Sequence, residues 1–244
     1  MRTANPALNA QTFQRFDAQE TTQSMTLDGT VTKTGILLAL VFGAAAYSWV
    51  QLAGGGQLPY PLLIGSLIAA FVFALITIFN KAWSPWTAPL YAVCEGVFLG
   101  AISLVFESMY PGIVFQAVVL TFGTLFALLI VYRSRLIRAT ENFKLGVCAA
   151  TGGICMIYLV TFVLGIFGTG IPYIHGAGIV GIGFSLVVVV IAALNLVLDF
   201  DFIEQGVAAG APKYMEWYGA FGLIVTLVWL YLEILRLLSK LRDR

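Results

Sequence analysis

Seven apolar runs of about twenty residues each, parted by short polar breaks, leave this chain one habitat. They fall at roughly 33–50, 61–79, 88–106, 113–132, 145–167, 177–200 and 216–238. Each is about long enough to cross ~30 Å of hydrocarbon as a helix, which takes ~20 residues. Inside lipid every backbone N–H and C=O must find its partner within the protein, and a single helix satisfies that requirement alone. Composition agrees: 60% of residues are hydrophobic and only 10% charged, with a mean hydropathy of +0.93, against about 25% charged in soluble proteins. The predicted fold is therefore all-α, a polytopic membrane protein built as a seven-transmembrane-helix bundle. The breaks carry turn chemistry, "GGGQLPYP", "NKAWSPWTAP", "YPG" and "GTGIPYIHGAG", and they are too short to hold a second domain.

Residues 1–30 are polar and rich in Asn, Gln and Thr. They read as a tail ahead of a transmembrane domain at 31–240 and a short C-terminal tail at 241–244. With no apolar h-region and little positive charge, the tail does not read as a signal peptide. The tail and the even-numbered loops hold Arg2, Arg15, Lys33, Lys81, Arg133, Arg135, Arg138, Lys144 and Lys213, while the odd-numbered loops hold no Lys or Arg. That asymmetry puts the N-terminus in the cytoplasm. Seven crossings then place Arg236, Lys240, Arg242 and Arg244 outside, against the same rule; a re-entrant segment would return them to the cytoplasm. A net charge of +1 and the lack of any aromatic-laced basic block argue against nucleic acid as a partner. Cys94, Cys148 and Cys155 lie within apolar runs and read as small core residues. Cys148 and Cys155 are about 10 Å apart along a helix, too far to bridge.

An ionisable residue within a spanning helix is costly and is by default a candidate for function. Glu95 stands in "YAVCEGVFLGAISL", where Gly96 and Gly100 make a small-xxx-small face fit for close helix contact. In "NLVLDFDFIEQG", Asn195 and Asp199 are four apart and share a face, whereas Asp201 lies roughly 200° round from Asp199. Asp201 groups with Glu204 and Gln205 as an expected solvated helix end, leaving Asp199 to face the bundle. On the last run Thr226 stands midway and Glu233 further on, with Arg236 three residues later as an ion-pair partner. His175 lies in a Gly/Pro loop and reads as a loop residue.

Catalysis is not expected. Ser185 in "GFS" has no histidine on a later helix to act as base. "GIGF" at Gly181 lacks the acid of a GxGD aspartyl protease, and no metal-ligating cluster is present.

These residues resemble the transmembrane Bax inhibitor motif family, in its bacterial branch. The resemblance rests on "EG…LG" (Glu95, Gly96, Leu99, Gly100), on "LDFDFIEQG" in place of the family's "FDTQ-I" pattern, and on a final helix of the "YGA…LYL…LLR" kind. It covers the whole membrane part. The resemblance implies an all-helical bundle with the last helix near its centre, a bacterial inner membrane location, and a pH-sensitive calcium leak attributed to an aspartate pair on the last two helices. Asp199 matches the sixth-helix acid. Its partner is open: matching "LYLE" gives Glu233, whereas matching "YGA" and "LLR" without gaps gives Thr226 and breaks the pair. With Trp217 near the inner edge, Thr226 lies ~14 Å in and Glu233 ~24 Å in, while Asp199 is within ~10 Å of its cytoplasmic turn. Depth thus favours Thr226 opposite Asp199. The second helix also lacks an arginine to act as a cationic latch.

The function expected on these grounds is a passive, pH-sensitive calcium leak with Asp199 as the titrating, cation-binding group and Glu95 second. Burial disfavours the charged form of a carboxyl, and protonation would erase the cation site. No cofactor or structural metal is expected; calcium is the permeant or transiently bound ion, and the bilayer is the obligatory partner. The alternative is a non-conducting protein that regulates or binds other membrane proteins, with its buried acids serving as helix glue.

Overall fold

The computed structural model describes residues 24–54, 60–137, 139–167, 176 and 178–243, with the side chains of 60–62 left aside. The first 23 residues of the expected tail, the breaks containing Gln57 and Thr169, and His175 lie outside the described residues. The protein is 88% helical with no strands among the described residues. The described residues form seven α-helices, α1 (Leu27–Ala53), α2 (Tyr60–Phe79), α3 (Ser84–Met109), α4 (Ile113–Arg133), α5 (Glu141–Ile166), α6 (Ile179–Ala208) and α7 (Met215–Arg242). Six are long and apolar enough to cross a membrane, and α2 contributes a shorter apolar helix at Leu63–Phe79. Of the six, α7 buries the largest share of its residues.

Helices run past the apolar segments where polar side chains satisfy the backbone locally. The first begins at Leu27, ahead of residue 33, because Thr26 caps it by accepting from Gly29 N–H. Thr30, Thr32 and Thr34 then return their hydroxyls to carbonyls four residues back, so a polar first turn costs little. The sixth continues through Asp201, Glu204 and Gln205 to Ala208, and ends where Gly210 adopts φ +65°. There Ala211 N–H reaches the Gly206 carbonyl and Gly210 N–H that of Val207, and only glycine takes this left-handed turn without strain.

The chain divides into two compact units, with boundaries inside α6 between Phe200 and Asp201 and inside α7 between Val225 and Thr226. One holds α1, α2, α3, the end of α6 and the start of α7. In it, α1 and α2 both pack on α3. The expected Gly face meets α1: a Cβ on Gly96 would lie 2.5 Å from the Val41 carbonyl oxygen, and one on Gly100 would run into that of Ala45. Ser48 Oγ donates to the Val97 carbonyl at 2.8 Å across the same contact. The other unit holds α4, α5, the greater part of α6 and the end of α7. Here α4 and α5 present Phe115, Phe126, Ile130, Phe162 and Ile166 outward, an apolar surface suited to lipid. Cys155 is exposed and Cys148 half-buried, so the expectation of three core cysteines is corrected; all three are free thiols.

Candidate functional site

Four of the expected site residues, Asn195, Asp199, Thr226 and Glu233, fall together in the α4–α7 unit, and all four are buried. On α6, Asn195 Nδ2 donates to the Ile191 carbonyl at 2.8 Å and to Thr151 Oγ1 of α5 at 2.9 Å. That pair of bonds fixes the amide and joins the two helices. Asp199 follows one turn later with 0% exposure, on the face the four-residue spacing requires.

Glu233 is 1% exposed and anchors a second polar group. Its Oε1 accepts from Tyr158 OH of α5 at 2.9 Å and from Arg236 Nη1 at 2.8 Å. Arg236 Nη1 also donates to the Tyr158 oxygen at 2.8 Å, and the guanidinium stands 5.2 Å from the Tyr158 ring centroid. Phe184 of α6 meets the same ring edge-on at 6.3 Å. Three helices therefore hold one phenol. The other carboxylate oxygen, Glu233 Oε2, is buried with no hydrogen-bond partner among the described residues. Four residues beyond Arg236, buried Lys240 donates to Ser185 Oγ at 2.8 Å and to the Gly181 carbonyl at 3.1 Å. Polar groups thus recur along α6 from Ser185 to Asp199, ~21 Å of helix.

The remaining expected residues belong to the other unit. Glu95 is buried on α3. Asp201 is half-buried and accepts from Gln205 Nε2, and of that trio Glu204 alone is exposed. The expected solvated helix end is thus only partly wet: the helix continues to Ala208, with Glu204 exposed and Asp201 and Gln205 half-buried. This unit also holds a carboxylate that sequence reasoning passed over. Glu216, at the start of α7, is 0% exposed. Its Oε1 accepts from Thr26 N–H at 2.9 Å, Thr26 Oγ1 at 2.8 Å and Lys213 Nζ at 2.8 Å, and its Oε2 takes Lys33 Nζ at 2.5 Å. A Cβ on Gly29 would strike this carboxylate. An acid in a first helical turn is also favoured by the helix dipole. The Lys213/Glu216 spacing was the available signal for it. Tyr158 and Ser185 gave none, each being a lone polar group in an apolar run.

An all-helical bundle with six membrane-length apolar helices and carboxylates inside its last two defines a polytopic integral membrane protein. The chain belongs to the Bax inhibitor 1 like family, whose model matches residues 5–243. No curated protein and no solved structure matches it.

Proposed function

We propose that this protein is a pH-sensitive passive leak for calcium or a similar cation, with Asp199 as the group that creates the cation site. The observation that carries this reading is the wholly buried carboxyl of Asp199, one turn from Asn195, in the second half of the long apolar helix α6. An ionisable group inside a spanning helix is costly and by default marks a site. Family membership supports the same reading. No group of three or more His, Cys, Asp or Glu converges among the described residues, so a cation at Asp199 keeps much of its water. That suits brief occupancy rather than storage, because tight calcium sites use six to eight protein and water oxygens.

Deprotonation of Asp199 makes the site and protonation removes it, so the leak increases as pH rises. Calcium entry into proteoliposomes, followed with an entrapped dye across a pH series, tests this. Asp199→Asn should flatten the pH dependence. Wild-type vesicles no leakier than protein-free ones at any pH would instead favour a non-conducting protein that acts on other membrane proteins.

A further inference from the structure

We propose that the turn between α4 and α5 binds the headgroup of an anionic phospholipid through Arg133 and Arg135. Such a site needs no leak.

Helix α4 ends at Arg133, and the chain turns at Arg135, which takes φ +58°. Arg135 N–H reaches the Tyr132 carbonyl at 2.9 Å and Leu136 N–H that of Val131 at 3.2 Å. Helix α6 closes on the same pair of bonds, with Gly210 in the left-handed place. Glycine is the usual residue there, because a Cβ is strained in that conformation. Among the described residues Arg135 alone takes a positive φ without being glycine. An outlier of this kind points to a function for its side chain. The helix dipole does not supply that function, since Arg133 already stands in the last turn of α4. Loop orientation accounts for the sign of these charges, but not for an arginine in a glycine position.

What the turn presents fits a lipid phosphate. Arg133, Arg135 and Leu136 are all exposed, Leu136 to 79%. Neither guanidinium is hydrogen-bonded or ion-paired among the described residues, and the acid that follows, Glu141, is engaged by Lys144. The turn closes a membrane-length helix whose Phe126, Leu129 and Ile130 face outward, which sets it at headgroup depth. A guanidinium fork matches the oxygens of a phosphate, and basic groups at a helix end attract anionic lipid. An aqueous anion would leave Leu136 uncovered, whereas a lipid brings an acyl chain to cover it.

The test is thermal unfolding of the full chain in neutral detergent micelles, titrated with phosphatidylglycerol or with phosphatidylcholine. Phosphatidylglycerol should raise the wild-type melting temperature more than phosphatidylcholine does, and about 0.5 M salt should remove most of the difference. Arg135→Gly should raise the mole fraction of phosphatidylglycerol needed for half of that effect by about fivefold, the contribution of one arginine near a membrane surface. Adding Arg133→Gln should raise it about as much again, whereas Arg135→Lys, which keeps the charge, should keep most of the response. Without anionic lipid, Arg135→Gly should melt no lower than wild type, because glycine fits this turn without strain. A clearly lower melting temperature there would mean that the arginine serves the turn itself, and overturns the proposal. A wild type that does not distinguish the two lipids overturns it too, as does a double variant with an unchanged midpoint. An equal rise given by glycerol phosphate at the same concentration overturns the lipid as occupant in favour of an aqueous anion.

Discussion

Helix α7 carries two buried glutamates seventeen residues apart, and the protein treats them differently. Glu216 is held by the backbone N–H and hydroxyl of Thr26 and by two lysines, with both oxygens occupied. Glu233 is held through one oxygen by a phenol and an arginine, with the other oxygen bare. The first arrangement is complete, with four donors on the two oxygens. The second is open on one side and has one partner that can reach water. Burial alone therefore does not mark a functional acid in a membrane bundle. The two differ in the number of acceptor sites left unused on the buried carboxylate.

If that distinction holds, disturbing Glu216 should hurt stability most. Glu216→Ala leaves Lys33 and Lys213 without their acid and Thr26 without its acceptor. Breaking a buried pair costs 3–5 kcal/mol, and because both lysines retain some solvent, about 3 kcal/mol is expected. Thermal unfolding of the detergent-solubilised protein measures it, and a melting temperature unchanged from wild type would break the comparison at its structural end. The Gly face that seats α3 on α1 comes next. At Gly100 the obstacle is the Ala45 backbone carbonyl, which cannot swing aside, so Gly100→Ala should cost about 1–3 kcal/mol. Gly29→Ala should cost less, because the atoms it meets belong to the Glu216 side chain. Equal losses at the two glycines would mean that the carboxylate is as rigidly held as backbone.

At the other end of α7 the expected losses shrink. Glu233→Gln keeps an acceptor for Tyr158 and Arg236, and Arg236 can turn to water, so about 1 kcal/mol is expected, the size of an ordinary hydrogen-bond change. On the proposed reading, in which Asp199 is the titrating group, the same substitution should leave the pH profile of the leak in vesicles largely intact. A flat profile after Glu233→Gln, with Asp199→Asn unaffected, would transfer the titrating role to Glu233.

The sequence disclosed the helices because apolar length is an intrinsic property of a segment, and it put Asp199 on the buried face of its helix because four-residue spacing from Asn195 is local. The Gly96 and Gly100 contact was legible for the same reason. What stayed hidden depended on partners distant in sequence: Tyr158 meets Glu233 across 75 residues, and Thr26 meets Glu216 across 190. A single phenol in an apolar run has no pattern to betray it. Helix ends were misjudged in both directions for a related reason. Hydropathy registers where apolar residues stop, whereas α1 begins at a threonine cap and α6 ends at Gly210, each a matter of backbone hydrogen bonding.

The smallest effect is expected at Asp201, and it bears directly on how α6 divides its two aspartates. Asp199 is wholly buried; Asp201, two residues on and across the unit boundary, is half-buried and bonded to Gln205. Asp201→Asn keeps a carbonyl oxygen for the Gln205 amide and removes a charge that water already screens in part. Substitutions of this kind usually stay within about 0.5 kcal/mol. The leak should also keep its pH dependence, because the helical turn between the two residues points their carboxyls to different sides. Vesicle flux on Asp199→Asn and Asp201→Asn, measured side by side over the same pH range, therefore separates position on the helix from mere proximity in sequence. Loss of the pH response in both would mean that the two acids titrate as a unit and that the face argument drawn from Asn195 does not describe this helix. Retention in Asp199→Asn with loss in Asp201→Asn would move the site to the other unit, where Glu95 lies.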